Sequence, residues 1–70
     1  MADARGADEL EQLLTTEEVA AVCRTSPSTV RYWRHHGLGP QGFRAGRRVL
    51  YRRSDVAAWL DERLRQEKDR

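Results

Sequence analysis

Two segments of the 70-residue chain hold side chains that could do chemistry. The first is 29–40, TVRYWRHHGLGP, in which arginines, aromatic rings and two histidines precede a glycine-rich stop. The second is 42–53, GFRAGRRVLYRR, which contains five arginines. Guanidinium groups form bidentate hydrogen bonds with phosphates and with guanine. Both segments therefore indicate binding of a polyanion.

Other kinds of site are less well supported by the residue types. His35 and His36 are adjacent on a predicted helix and point in different directions, and the sequence has no second His or Cys pair, so we expect no metal site. Cys23 is the single cysteine, which excludes an internal disulfide, and we expect it to be a small core residue. The carboxylates look like helix caps and solvated faces. We expect no enzymatic activity and no cofactor.

The charge is distributed unevenly along the chain. Residues 1–12 carry a net charge of −3, residues 13–53 carry +6 from eight arginines and two glutamates, and residues 54–70 carry −1. Codon bias explains part of the preference for arginine over lysine but not the position of the basic block. A basic block on a small fold favours a nucleic-acid partner. No apolar run is long enough to span a membrane, so we expect a cytoplasmic, nucleoid-associated protein.

Two helices are predicted before residue 37. Thr15 is the expected N-cap of a helix over 16–24, with Glu18 completing a capping box. Ser26 is the expected N-cap of a second helix, with Pro27 at its first position and Gly37 at its C-terminal stop. Only two to three residues would separate these helices, which predicts a helix-turn-helix.

The second helix is predicted to have one packing face and one exposed face. Val30 and Trp33 share the packing face. The opposite face combines hydroxyl, cationic and aromatic groups that can bond phosphates and base edges. The predicted DNA-contacting residues of this helix are Ser28, Thr29, Arg31, Tyr32 and His35, with Thr29 at the border of the stripe.

A β-hairpin is predicted around Gly46, because apolar residues alternate on both sides of it. We expect a loop of about three residues that pairs Phe43 with Val49 and turns both toward the core. A two-residue loop would pair Phe43 with Leu50 and mix the faces. Arginines on such a hairpin suit the minor groove of DNA. The predicted wing contacts are Arg44, Arg47, Arg48 and Arg52, of which Arg44 and Arg48 would face outward with Leu50.

A last helix is predicted with Ser54 as its N-cap and Asp55 in its first turn. Its apolar stripe would consist of Val56, Trp59, Leu60 and Leu64. The predicted organisation is a disordered acidic N-terminal arm over 1–12, a DNA-binding domain over 13–66 and a charged C-terminal tail over 67–70. The predicted fold is mainly α with a small β-hairpin: three helices plus a wing.

The stretch from Leu13 to about Leu64 resembles the small MerR-like, excisionase-type helix-turn-helix domains, which include excisionases, AlpA-like regulators and BldC-like regulators. The resemblance lies in LLTTEEVA, SPSTVRYW, GRRVLYRRSDV and AWL. It implies a winged helix-turn-helix with residues 28–35 in the major groove and Trp33 and Trp59 in the core. Leu50 stands where such wings often have arginine, which suggests contact with a neighbouring protomer instead.

The function expected from these features is sequence-specific binding of double-stranded DNA. The resemblance implies an excisionase that binds repeated sites, bends DNA, associates cooperatively with itself and directs an integrase toward excision. One alternative is a small transcriptional regulator of the same fold. A second alternative is a protein-interaction adaptor that uses the basic face. Since the sequence ends before a long coiled-coil helix could form, we expect no small-molecule effector.

Overall fold

The computed structural model describes residues 12–68 of the chain. Residues 1–11 of the predicted arm and residues 69–70 of the predicted tail lie outside this range, whereas residues 67 and 68 belong to the last helix. The order of the helices and strands confirms the predicted three helices and hairpin. The elements are β1 (Leu13–Thr15), α1 (Thr16–Val22), α2 (Pro27–His35), β2 (Gly42–Ala45), β3 (Arg48–Arg52) and α3 (Arg53–Lys68).

Helix α1 begins with the predicted capping box. The Thr15 side-chain oxygen accepts a hydrogen bond from the Glu18 backbone N–H at 3.1 Å, and the Glu18 carboxylate accepts one from the Thr15 N–H at 2.8 Å. These reciprocal bonds satisfy two of the amides that a helix start leaves unpaired. The helix ends at Val22 rather than at the predicted Arg24.

The early end of α1 follows from the backbone of Arg24. Its φ is 60°, in the left-handed region, and it is the one non-glycine residue of 12–68 with positive φ. The Arg24 N–H bonds the Ala21 carbonyl at 3.2 Å, and the Thr25 N–H bonds the Ala20 carbonyl at 2.9 Å. This is the Schellman pattern of helix termination. The left-handed position of that pattern, held here by Arg24, is normally a glycine. Four residues, 23–26, therefore separate α1 from α2, rather than two to three.

Helix α2 begins and ends at the predicted signals. The Ser26 side chain accepts a hydrogen bond from the Thr29 N–H at 3.2 Å, and Pro27 is the first helical residue. After the C-cap His36, Gly37 adopts a φ of 70°, and the Leu38 N–H bonds the Trp33 carbonyl at 2.6 Å. The sequence therefore defines both ends of the helix that carries the predicted contact residues.

The hairpin has a different register from the predicted one. Phe43 pairs with Leu50 across a two-residue loop, 46–47, and not with Val49. Gly46 has a φ of 66°, as the first loop position of a type II′ turn requires. Phe43 consequently shares a face with Leu50 and is 41% exposed, while Arg44 pairs with Val49. The predictions that Phe43 turns toward the core and that Arg44 lies on the Leu50 face are wrong.

The observed register follows from contact between Tyr51 and Gly42, which are paired across β2 and β3. A Cβ atom on Gly42 would lie 2.7 Å from the Tyr51 ring, so the ring needs a residue without a side chain opposite it. The predicted register would have paired Tyr51 with Gln41 instead. Because successive strand residues point to opposite faces, this one-residue shift moves every side chain of β2 to the other face.

The sheet has a third strand that the sequence analysis did not identify. β1 pairs antiparallel with β3, placing Leu14 opposite Tyr51, and the strand order is β1-β3-β2. The strand is only three residues long and runs directly into α1, so it shows no extended alternation. It makes β3 the central strand, bonded on both sides.

The core lies between the sheet and the helices. Its fully buried residues come from all three helices and from β3: Val19, Ala20, Val30, Tyr51 and Val56. Trp33 is half-buried against this cluster, and its ring lies 5.1 Å from that of Trp59. The predicted stripe of α3 is only partly covered, because Leu64 is 54% exposed.

Helix α3 follows β3 without a loop. It begins at Arg53, so Ser54 is its second residue. The prediction that Ser54 is the N-cap is therefore wrong. The Arg53 N–H donates to the Gln12 carbonyl at 2.8 Å, just before β1. Pairing of β3 with β1 thus satisfies the amide at the start of the helix. With three helices and a three-stranded sheet that includes the hairpin, the chain is a winged helix-turn-helix.

The backbone of Arg24 gives a test of the turn that orients α2. We expect Arg24→Gly to be more stable than Arg24→Ala by about 1 kcal/mol, because glycine adopts positive φ without a Cβ clash. Both variants lose the same charge, so the difference in their free energies of unfolding reports the backbone conformation. Urea denaturation measures it, and equal stabilities would contradict the left-handed turn.

Candidate nucleic-acid interface

A basic cleft separates the start of α1, the exposed side of α2 and the tip of the β2–β3 hairpin. Four arginines and one histidine supply its basic side chains, and one glutamate supplies a carboxylate. Such a surface offers cations and many hydrogen-bond donors to an anionic ligand. The six side chains, which we call the cleft residues, are Glu17, Arg31, Arg34, His35, Arg47 and Arg48.

The predicted stripe of α2 is exposed, and the cleft contains part of it. Arg31 and His35 line the cleft, whereas Ser28 and Tyr32 are exposed outside its lining. Tyr32 is 56% exposed. Its ring stacks on the His36 ring with 4.1 Å between centroids. The stripe therefore extends beyond the cleft along the outer surface of the helix.

Thr29 differs from the other predicted contact residues of α2. It is half-buried, and its hydroxyl lies 3.0 Å from the Ser26 hydroxyl. Its backbone N–H also donates to the same Ser26 oxygen. Thr29 thus participates in the helix cap, and its hydroxyl is already hydrogen-bonded.

The predicted wing arginines separate into two groups. Arg47 and Arg48 line the cleft beside α2. Arg44 and Arg52 are exposed but do not line it. Arg52 pairs with Leu13 at the far end of β3, four residues from Arg48, which corresponds to about 13 Å along a strand. The structure therefore does not bring the four arginines together at one tip.

Arg34 is a cleft residue that the sequence analysis did not select. It lies one turn after Arg31 on α2 and is exposed. The i, i+3 spacing of the two arginines is the signal that could have identified it. The arginines of α2 and of the hairpin tip consequently meet across one cleft.

The one carboxylate among the cleft residues is paired with an arginine of α2. The Glu17 carboxylate and the Arg31 guanidinium are 3.4 Å apart, and their side chains are 66% and 62% exposed. The pair joins the first turn of α1 to the middle of α2. At this exposure, such a pair contributes about 0–1 kcal/mol to stability.

Tyr51 connects the cleft to the core. It lines the cleft, yet only 1% of its surface is exposed. Burial raises the pKa of the phenol, while the positive charge of Arg34 and a hydrogen bond with the Thr16 side chain act in the opposite direction. Since burial has the largest effect, Tyr51 stays protonated above its ordinary range.

His36 and Cys23, two of the three residues considered for metal or thiol chemistry, make structural contacts. Within 12–68, no group of three or more His, Cys, Asp or Glu side chains could hold a metal ion. His36 Nδ1 lies 2.9 Å from the Tyr32 carbonyl oxygen, so that ring nitrogen is engaged with the backbone. Cys23 packs against the core, and burial raises the pKa of its thiol.

The segment that forms the helices and the hairpin matches a known protein family. The family model described as a helix-turn-helix domain matches residues 13–64. The chain belongs to the helix-turn-helix domain family. No curated protein and no solved structure gives a significant match. Helix-turn-helix domains typically bind DNA through the second helix of the motif, which here is α2. Family membership thus supports DNA binding by this domain.

Within residues 12–68, no helix combines the length and the apolar composition needed to cross a bilayer.

The raised pKa of Tyr51 predicts how stability depends on alkaline pH. The unfolded phenol ionises near its ordinary pKa of 10.0, whereas the folded phenol does so only at higher pH. The stabilisation is therefore complete below that ordinary value and is lost as pH rises through the raised folded pKa. Urea unfolding from about pH 8 to about pH 11 should show a steeper decline for the wild type than for Tyr51→Phe. Parallel profiles would contradict the burial of this phenol.

Proposed function

We propose that this helix-turn-helix domain is a sequence-specific double-stranded DNA-binding protein. Helix α2 enters the major groove, and the hairpin tip follows the adjacent backbone or minor groove. The observation that carries the proposal is the convergence of Arg31 and Arg34 with Arg47 and Arg48 on one cleft. Two separate elements thereby present cations to one ligand surface.

The two sides of the cleft have different roles in this proposal. Arg31 belongs to the exposed stripe of α2, where a guanidinium can bond O6 and N7 of guanine in the major groove. Ser28, Tyr32 and His35 extend that stripe toward further base edges and phosphates. Arg47 and Arg48 lie at the hairpin tip, where cations contact phosphates or a narrow minor groove. Thr29 acts through the helix cap, and Arg44 and Arg52 lie at the periphery.

The biological role that we propose is that of an excisionase. Such a protein binds repeated sites, bends the DNA and directs an integrase toward excision. The support is the resemblance to excisionase-type domains and the small size of the domain, which by itself buries too little surface for high specificity. A transcriptional regulator of the same fold would use the same DNA-binding surface and is distinguished by the arrangement of its sites.

Cooperative binding of neighbouring copies would add the missing specificity. The outer face of the hairpin supports this part of the proposal, because Phe43 is 41% exposed and is paired with Leu50. These apolar side chains point away from the core. They give an adjacent protomer an apolar contact beside the DNA-binding tip.

Selection of duplexes from a random pool tests the proposed function, followed by footprinting on the recovered sequences. We expect tandem direct repeats to which copies of the protein bind cooperatively. We also expect the bound DNA to bend, which is detected by comparing the gel mobility of fragments that carry the site at different positions. An isolated or palindromic site would instead favour a conventional regulator. No enriched duplex would refute DNA reading and favour a protein-interaction adaptor.

Two substitutions should separate base reading from backbone contact. Arg31→Ala should weaken binding to the selected duplex by about 1–3 kcal/mol and relax the base preference at one position. Arg48→Ala should weaken binding to all duplexes similarly and reduce the slope of log K against log salt by about 1. Arg65→Ala, on α3 outside the cleft, is the control for loss of one positive charge. Normal site preference in Arg31→Ala would refute the placement of α2 in the groove.

A further inference from the structure

Glu17 and Glu18 both lie in the first turn of α1, where a negative charge favours the helix start, but their side chains make different contacts. Glu18 is committed to the capping box with Thr15, whereas Glu17 reaches across to α2 and contacts Arg31 at 3.4 Å. Glu17 and Arg31 are fourteen positions apart in sequence, so this contact depends on the helix-turn-helix geometry. Glu17 therefore adds a negative charge to the cleft and is not part of the capping box.

The position of that charge affects phosphates and bases differently. A phosphate carries a full negative charge, and a carboxylate beside the same guanidinium repels it. Guanine presents O6 and N7, which are acceptors without a full charge. A nearby carboxylate repels them much less than it repels a phosphate. Binding of nonspecific DNA depends almost entirely on phosphate contacts. Glu17 is thus placed to weaken nonspecific binding more than specific binding.

The same contact restricts the orientation of Arg31. One terminal nitrogen of the guanidinium lies against the Glu17 carboxylate, while 62% of the side chain stays exposed. The remaining donors are available to a ligand in the cleft. A long side chain that is biased toward one orientation loses less conformational entropy when it binds. The contact therefore favours a defined approach of Arg31 to a base.

From this geometry we propose that Glu17 is a specificity-determining residue that positions Arg31 and keeps phosphates away from its guanidinium. The inference rests on the proposed DNA-binding function and adds to it a residue outside α2 and the wing. Specificity is a difference between two affinities, and an unfavourable charge can increase it as effectively as an additional contact. Glu17 would act by lowering the affinity for the wrong duplexes.

The test compares Glu17→Gln with a matched control, Asp61→Asn. Asp61 forms an exposed ion pair with Arg65 at 3.0 Å on α3, so each substitution removes one carboxylate from an arginine pair. Affinities are measured for the selected duplex and for a scrambled duplex of the same composition, at several salt concentrations. The readout is the ratio of the two affinities, which a change in the folded fraction alone does not alter.

We expect Glu17→Gln to tighten binding to the scrambled duplex about threefold to fivefold and to lower the affinity ratio by at least about threefold. The salt slope on the scrambled duplex should steepen by up to about 0.9, because one more phosphate can be neutralised. Asp61→Asn should leave the ratio unchanged. Equal changes in the ratio for the two variants would overturn the inference, since only net charge would then matter.

A double-mutant cycle establishes whether Glu17 acts through Arg31. In the Arg31→Ala background, Glu17→Gln should no longer alter the affinity ratio. Persistence of its full effect there would overturn the positioning role. If the wild type does not distinguish the selected from the scrambled duplex, the DNA-reading proposal fails and this inference fails with it. That result differs from failure of the inference alone, in which the wild type discriminates and Glu17→Gln discriminates equally well.

Discussion

The packing of the Tyr51 ring against Gly42 is the contact on which the geometry of the cleft depends. Tyr51 lies on the central strand, opposite Leu14 on one side and Gly42 on the other. A Cβ at residue 42 would lie 2.7 Å from the ring, which fixes the register of the hairpin. That register in turn makes 46–47 the turn and brings Arg47 and Arg48 beside α2. One buried ring thereby links core packing to the position of surface charges.

The charged surface depends on exposed contacts, in contrast to this buried one. Within 12–68 the core has five fully buried hydrophobic residues and no buried polar or charged residue. The Glu17–Arg31 pair is well exposed, so solvent and salt weaken it. A rigid interior therefore carries a set of exposed arginines, of which Arg31 is biased toward Glu17 and the others can still reorient. This combination suits recognition of a polyanion, because the framework sets approximate positions and the long side chains adjust to phosphates and bases.

The sequence predicted the features of the site that depend on local interactions. Thr15 with Glu18, Ser26 with Pro27, and Gly37 each stabilise a helix end through bonds to residues a few positions away, so their types and spacing were informative. The exposure of Arg31 followed from helical periodicity around the buried Val30. These local signals were sufficient to identify α2 and the face that it exposes to solvent.

The features that the sequence did not predict depend on contacts between distant residues. The register of the hairpin is set by Tyr51 over Gly42, and alternation of apolar residues alone favoured the wrong pairing for Phe43. The first strand is only three residues long, and its pairing with β3 leaves no periodic signal. The cleft position of Arg34 likewise depends on where the hairpin packs. Chain reversal at Arg24 uses a conformation that glycine would have signalled.

The direct passage from β3 into α3 has a mechanical consequence. No loop separates Arg52 from Arg53, and the Arg53 amide is bonded to the Gln12 carbonyl. A loop would act as a hinge, whereas this junction transmits force. A change in the direction of β3 therefore changes the direction of the first turn of α3 as well. The hairpin and the start of the long helix form one continuous segment of backbone, with no loop about which one could pivot on the other.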